Sequence, residues 1–176
     1  MRLNRLGTVV AGVATVAAAA LFVALTPTAN AAADHALPLD PGAVPREAYA
    51  AAHWNANPAV DLIVTNVPAY ALTAGQVDHY DSASCGIGIR LLQPDGSRFI
   101  YCHLSERAVA EGAAVPAGTH LGTTGDTGNS GAPHLHIEVR TADGTARCPQ
   151  TYLLAIHDGA APPSLGSLPT SGCTVG

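Results

Sequence analysis

Two histidines separated by one residue, His134 and His136, have the spacing in this sequence that is best suited to chemistry. They belong to the β-type run from Pro133 to Val139, and strand alternation would place both imidazoles on one face, about 6 to 7 Å apart. One ring can then bind a metal ion while the other reaches the metal's water. Such a pair is more often incidental on a half-exposed strand, since imidazole tolerates that position without a ligand. The chemistry therefore requires partners from elsewhere in the chain.

Three further residues are suitable partners. His103 ends a strand-like run, Asp61 directly precedes the apolar run that begins at Leu62, and His53 lies eight residues before Asp61. Two histidines and one carboxylate with an open fourth position are the usual ligands of catalytic zinc. Zinc lowers the pKa of bound water to about 7, so that hydroxide is available at neutral pH. The residue types therefore match a catalytic zinc site.

Other candidate residues have weaker support. His79, His120 and His157 lack a comparable context, so a surface position is the default expectation for each. Glu138 shares a strand face with His136 and either orients that ring or is an ordinary surface charge. The Gly-Asp-Thr-Gly run at 125–128 has the form of an aspartic-protease loop, but the second copy is missing, so a glycine-rich turn explains it better.

The first 31 residues have the pattern of a secretory signal peptide. Basic residues between Met1 and Arg5 precede an apolar run from Leu6 to Leu25, and Ala29-Asn30-Ala31 has the form of a cleavage site. An uncleaved membrane anchor is the alternative, because roughly 20 apolar residues can span a bilayer. We expect cleavage, secretion to the exterior or the cell wall, and no membrane contact afterwards. About 145 residues then remain, which is enough for one domain with a modest core.

The remaining chain is acidic. Without Arg2 and Arg5, 6 of the 8 cationic residues remain, all of them arginine, against 13 acidic residues. Nucleic acid is therefore not an expected partner, because binding it requires clustered positive charge. We expect the protein to act as a monomer.

Four cysteines, at positions 85, 102, 148 and 173, predict two disulfides in an exported chain, with three possible pairings. Proximity favours Cys85 with Cys102 and Cys148 with Cys173. None of them belongs to a Cys-x-x-Cys pair, which argues against a cysteine zinc site.

Short β-type runs separated by turn-forming residues predict an all-β domain from residue 60 onward. We expect strands at 62–65, 69–72, 86–92, 98–103 and 134–140, with a hairpin turn at Asp95-Gly96. Short helices are expected at 105–111 and 149–156, and a glycine-rich loop at 122–131. Three prolines exclude a long helix in residues 32–52, so that segment either wraps the domain or stays loose.

Six short elements follow one another between His53 and Arg140: Ala59-Val60-Asp61-Leu62, the run at 67–77, Tyr101-Cys102-His103-Leu104-Ser105, the run at 115–122, the run at 127–133, and His134-Leu135-His136-Ile137-Glu138. In this order they resemble the lysostaphin-type (LytM-like) zinc metallopeptidases, β-sheet enzymes that cleave peptidoglycan peptides. The resemblance implies one small domain of antiparallel sheet with a sandwich-like core, short helices and a coil tail. It also implies one zinc ion per chain and a peptidoglycan peptide as substrate.

The resemblance further implies individual roles. Asp61 and His136 correspond to zinc ligands, while His103 and His134 correspond to the pair that handles the water and the transition state. Which of these two rings is the general base stays open.

The remaining zinc ligand should be a histidine upstream of Asp61. In most of the family it stands four residues before the aspartate, whereas position 57 is asparagine here. We expect His53 to take this role at the start of a longer loop. His35 is the alternative, and a third possibility is that the ligand has been lost.

These observations predict a secreted zinc metalloendopeptidase that hydrolyses peptidoglycan peptide bonds. The expected organisation is a signal peptide at 1–31, an extension at 32–52, a metallopeptidase domain at 53–147 and a disulfide-stapled tail at 148–176. One alternative is a catalytically degenerate domain of the same fold that binds the wall or activates another hydrolase. Another is a zinc enzyme with a different protein substrate.

Overall fold

The computed structural model describes residues 34–55 and 57–174, so the predicted signal peptide lies outside the described residues. The described chain contains nine strands: β1 (Ala59–Leu62), β2 (Pro68–Tyr70), β3 (Gly75–Ser82), β4 (Gly86–Leu92), β5 (Arg98–Arg107), β6 (Ala114–Val115), β7 (His120–Thr124), β8 (Leu135–Arg140) and β9 (Ala146–Arg147). Its helices are α1 (Arg46–Ala50), α2 (Gln150–His157) and a 3-10 turn at Leu165–Ser167. None of these helices is long and apolar enough to cross a membrane.

All strand pairs are antiparallel, in the order β1-β8-β5-β4-β3-β6, with β7 joined to β5 and β2, and β9 joined to β8. The long strand β5 is central to the sheet. Its first half pairs with β4 and β8, whereas its second half pairs with β7. The predicted all-β class with an antiparallel sheet is therefore confirmed.

Strand alternation places the core on one face of the sheet. Phe99 and Tyr101 of β5 are buried there together with Ile137 of β8 and Leu91 of β4. The Tyr101 hydroxyl accepts a hydrogen bond from the Leu72 amide at 2.9 Å, which satisfies its polar atom inside the core. The opposite face of β5 and β8 is left to form the floor of a groove.

Two of the local predictions are confirmed and two are wrong, since the strand predicted at 62–65 lies instead at Ala59–Leu62. The hairpin turn lies at Asp95-Gly96, where Gly96 has a φ of 84° that suits glycine, and α2 lies close to the predicted second helix. The helix predicted at 105–111 does not form. Instead β5 continues to Arg107, because its second half pairs with β7, for example Arg107 with Gly122.

The segment before the sheet wraps the domain. Leu39, Val44 and Tyr49 are buried in the core, and α1 packs on α2. The two predicted disulfides, Cys85–Cys102 and Cys148–Cys173, are both present, and the second ties the tail to the start of α2.

Candidate metal centre

Sheet register brings the distant predicted residues together. Asp61 on β1 is the Cα partner of His136 on β8, and His136 is also the partner of Cys102 on β5. His103 follows Cys102, and His134 directly precedes β8. Side chains from three neighbouring strands therefore meet at one end of the groove floor.

The carboxylate of Asp61 is the centre of this cluster. His136 Nδ1 lies 2.8 Å from Asp61 Oδ1, His53 Nε2 lies 3.3 Å from Asp61 Oδ2, and His134 Nε2 lies 3.5 Å from Asp61 Oδ1. Three imidazoles therefore direct a nitrogen at one carboxylate. His53 does so from the loop before β1, His136 from β8 and His134 from the residue before β8. All of these side chains are largely shielded from solvent, with exposed fractions between 6% and 15%.

Neighbouring acceptors fix which nitrogens face the carboxylate. His53 Nδ1 donates to Asn55 Oδ1 at 2.8 Å, which directs His53 Nε2 toward Asp61. His136 Nε2 donates to Glu138 Oε1 at 3.3 Å, so its Nδ1 is the nitrogen that faces Asp61. An acceptor on the outer nitrogen is the arrangement that orients histidine ligands of metals.

Gln150 on α2 fixes the loop that carries His53. Its side chain is fully buried, and its Nε2 donates to the carbonyls of Ala51 at 2.9 Å and Ala59 at 2.8 Å. These two carbonyls flank the segment 52–58, in which His53 lies. Gln150 therefore closes the base of the longer loop that separates His53 from Asp61.

His103 lies at a break in the regular pairing of β5. It has a left-handed φ of 63°, its amide donates to Cys85 O at 2.8 Å, and the register of β5 against β4 shifts at this point. Bulges of this kind redirect a side chain relative to strand alternation. His103 therefore joins the site although Tyr101, two residues earlier, points into the core.

The loop between β7 and β8 fixes the His103 ring. His103 Nδ1 donates to Thr127 O at 2.7 Å, and the Thr127 hydroxyl donates to Leu104 O at 2.7 Å. The loop can approach this closely because of Gly86, where a Cβ would lie 2.4 Å from Thr127. Since Nδ1 of His103 is engaged, Nε2 is the nitrogen left to act.

His134 is oriented in the same way. Its Nδ1 donates to Ala132 O at 2.7 Å, which leaves Nε2 toward Asp61. The centroids of the His103 and His134 rings are 4.6 Å apart. The two rings therefore form a pair on one side of the cluster, while the centroids of His53 and His136 are 5.0 Å apart.

The pKa values follow from burial and from these contacts. Burial acts to raise the pKa of Asp61, but the hydrogen bond and charge of His136, with His53 and His134, hold it below its ordinary value. Burial acts to lower the pKa of His136, but the hydrogen bonds to Asp61 and Glu138 raise it to about 9. Burial and the neighbouring imidazoles lower the pKa of His103, against the effect of the Thr127 carbonyl. The lowered pKa favours the neutral form of His103.

Among the residues that the structure describes, two overlapping groups have the donors of a metal site: His53, Asp61 and His136, and His103, His134 and His136. Within each group the ligand atoms lie within 4.8 Å of one another. The first group offers two nitrogens and one carboxylate oxygen, which is the donor set of catalytic zinc sites, and its histidines have their outer nitrogens anchored. The residues present therefore fit zinc.

The cluster opens into a groove with a volume of about 940 Å³. Its rim carries Trp54 and Ile63, which are 83% and 70% exposed. Its floor continues along β5 and β8 past Ile100 toward Arg98 and Arg140. The shape suits an extended chain that lies across the cluster.

The remaining histidines lie elsewhere. His35, the alternative to His53, shares a hydrogen bond with the Tyr152 hydroxyl at 2.9 Å and does not line the groove. His79 bonds to Val109 O, His120 bonds to Gly122 O, and His157 lies beside Asp158.

Residues 56–149 match peptidase family M23. Lysostaphin of Staphylococcus staphylolyticus is 33% identical over 111 residues, which are 60% of this chain and 23% of that protein. Glycyl-glycine endopeptidase ALE-1 of Staphylococcus capitis is 37% identical over 99 residues, which are 53% of this chain and 27% of that protein. The chain thus matches about a quarter of the length of these curated relatives.

A solved structure supports the same relationship. The catalytic domain of lysostaphin from Staphylococcus simulans has a TM-score of 0.51 and 33% identity to this chain, and the match covers 55% of this chain and 77% of that domain. The predicted resemblance to lysostaphin-type peptidases is therefore confirmed. Because the family match spans more than half of the sequence, the chain belongs to peptidase family M23.

Proposed function

We propose that this protein is a secreted zinc metalloendopeptidase that hydrolyses peptide bonds of bacterial peptidoglycan. The observation that carries the proposal is the convergence of His53, His136 and Asp61 opposite the paired rings of His103 and His134, at the end of an open groove. In this proposal residues 1–31 are a signal peptide, and residues 53–147 form the peptidase domain. Family membership and relatives named as lysostaphin and as a glycyl-glycine endopeptidase support the substrate class.

His53, Asp61 and His136 would hold the metal. When bound there, zinc supplies a Lewis acid for the scissile carbonyl and a hydroxide at neutral pH. Asn55 and Glu138 would contribute by holding the outer nitrogens of the two histidines, which keeps the inner nitrogens directed toward the metal position.

His103 and His134 would move protons. The pKa of His103 is lowered and its Nδ1 is held by Thr127, so its Nε2 can accept a proton as general base. His134, on the other side of the pair, would donate a hydrogen bond to the developing oxyanion or a proton to the leaving amine. Both rings start from fixed orientations, which avoids reorganisation during the reaction.

The proposal is tested by incubating purified peptidoglycan with the protein, with and without a chelator, and by metal analysis of the same preparation. We expect about one zinc per chain and chelator-sensitive release of new amino groups. His136→Ala should abolish both, whereas His120→Ala, outside the groove, should abolish neither. Metal-free protein that binds wall material without releasing amino groups would instead support the catalytically degenerate alternative.

A further inference from the structure

Positive charge is concentrated in the groove of an otherwise acidic chain. Six arginines are the only cationic residues after residue 33, and three of them, Arg90, Arg98 and Arg140, line this one groove. The same groove contains only two of the 13 acidic residues, Asp61 and Glu138. Asp61 belongs to the metal cluster, so the far end of the groove carries a net positive charge.

Sheet register places two of these arginines directly opposite each other. Arg98 on β5 is the Cα partner of Arg140 on β8. Both guanidinium groups reach the same place, because Arg140 Nη1 lies 3.4 Å from Gly144 O and Arg98 Nη2 lies 3.9 Å from the point where a Cβ on Gly144 would stand. Like charges directly opposite each other on neighbouring strands are destabilising unless an anion lies between them.

Only two of the three arginines have an anionic partner within the described chain. Arg90 pairs with Asp78 and stacks over the Tyr80 ring at 4.7 Å, and Arg140 pairs with Glu138 at 2.7 Å. Arg98 is half-buried and forms no ion pair with the carboxylates of the described residues. The nitrogens of Arg98 are not among the buried atoms without a hydrogen-bond partner, so its guanidinium is open to an anion that enters the groove.

The arginine end lies at a defined separation from the metal cluster. Arg140 follows His136 by four residues on β8, and Arg98 precedes Cys102 by four residues on β5. Four strand residues correspond to about 13 Å at roughly 3.3 Å per residue. An extended peptide lying along the floor would cover that distance with about four residues, and the half-way point of the floor is the apolar side chain of Ile100.

From this arrangement we infer that the arginine end of the groove, Arg90, Arg98 and Arg140, binds a carboxylate of the peptide substrate about four residues from the bond that is cut. Arg98 makes the main contact, because its fork of N–H donors matches a carboxylate and is not engaged by a described anion. The inference rests on the proposed function and specifies its substrate class: a peptide with a free carboxylate at this distance, rather than an uncharged glycine chain.

The test uses four synthetic peptides that are acetylated and amidated, so that a side chain carries the only carboxylate. Each is a hexapeptide of glycine with a single glutamate at the first or last position, and each has a glutamine counterpart. The two positions cover both directions in which a peptide can lie in the groove. Binding is measured calorimetrically with the zinc-loaded protein, and mass spectrometry of the peptides after each titration shows whether they are uncut.

We expect the unaltered protein to bind one of the two glutamate peptides at least tenfold more tightly than its glutamine counterpart. Arg98→Gln should remove this preference, and Arg98→Lys should retain part of it because the charge remains. Arg46→Gln is the matched control, because Arg46 is exposed and pairs with Asp158 outside the groove. Thermal melting of each variant separates a loss of folding from a loss of binding.

Equal binding of the glutamate and glutamine peptides by the unaltered protein would overturn the inference. A preference that persists in Arg98→Gln would overturn it as well. Failure to cleave peptidoglycan in the earlier experiment would instead contradict the proposed function, so the two failures are distinguishable.

Discussion

The buried side chain of Gln150 offers a direct test of how the fold positions His53. Its Nε2 donates to the carbonyls of Ala51 and Ala59, at the two ends of the loop that carries His53. We consider Gln150→Met, which keeps the length and approximate volume of the side chain and removes both donors. The two carbonyls differ in their surroundings, so the two losses should be measurable separately.

The Ala59 carbonyl belongs to a fully buried residue of β1, and it stays out of water when its donor is removed. An orphaned buried carbonyl costs about 1 to 3 kcal/mol. Methionine also removes Gln150 Oε1, a buried oxygen without a described partner, which offsets part of that cost. We expect the free energy of unfolding to fall by about 1 to 2 kcal/mol, measured by urea denaturation.

The Ala51 residue is exposed, so its carbonyl can bind water once the end of the loop moves. Loss of this hydrogen bond therefore affects mainly the position of His53, and so the affinity for zinc. A net hydrogen bond is worth about 1 kcal/mol, and supporting residues of metal ligands typically contribute tenfold or more, so we expect zinc to bind about five- to tenfold more weakly. Competition with a chromogenic chelator measures this change.

Gln76→Met provides the control, because Gln76 is exposed on β3 outside the groove. It should change neither quantity. If Gln150→Met lowered the stability but left the zinc affinity within twofold of the unaltered protein, Gln150 would be a core residue without influence on His53. The account of the longer loop would then be wrong.

Three other predictions concern the side chains around the cluster. His103→Ala should lower kcat for peptidoglycan by about 10² to 10⁴ while zinc content stays at one per chain, and loss of zinc would contradict a purely proton-transferring role. Replacing Cys85 and Cys102 by alanine should lower kcat about tenfold at unchanged zinc content, because Cys85 O and the neighbouring Cys102 position His103. The same replacement at Cys148 and Cys173 is the control and should lower the melting temperature only. Glu138→Ala should weaken zinc binding about tenfold, and Glu138→Gln should retain most of the affinity because the glutamine oxygen can still accept from His136 Nε2. If Glu138→Ala bound zinc as tightly as the unaltered protein, Glu138 would be an ordinary surface charge.

Several parts of the site could be predicted from sequence because they depend on local spacing. The His-x-His alternation, the Asp-Gly hairpin and the proximity of Cys85 to Cys102 all follow from strand geometry over a few residues. The roles of Asp61, His103, His134 and His136 were predicted from the order of six short sequence elements. That order is a property of the whole domain.

Other features depend on contacts between distant segments and could not be predicted. Strand alternation alone would put His103 on the same face as Tyr101, but His103 has a left-handed φ and its side chain lies on the opposite face of β5. The expected helix at 105–111 is a strand because β7 lies beside it, which local propensity does not show. Gln150 follows Ala51 by 99 residues, and no pattern near either residue indicates their hydrogen bond.

The central claim is that His53, Asp61 and His136 hold one zinc ion. Crystals grown with zinc, with anomalous diffraction recorded on both sides of the zinc absorption edge, test it directly. We expect a single zinc peak about 2.0 to 2.2 Å from His53 Nε2, from an Asp61 carboxylate oxygen and from His136 Nδ1. A peak bound by His103, His134 and His136, with His53 out of reach, would contradict the claim.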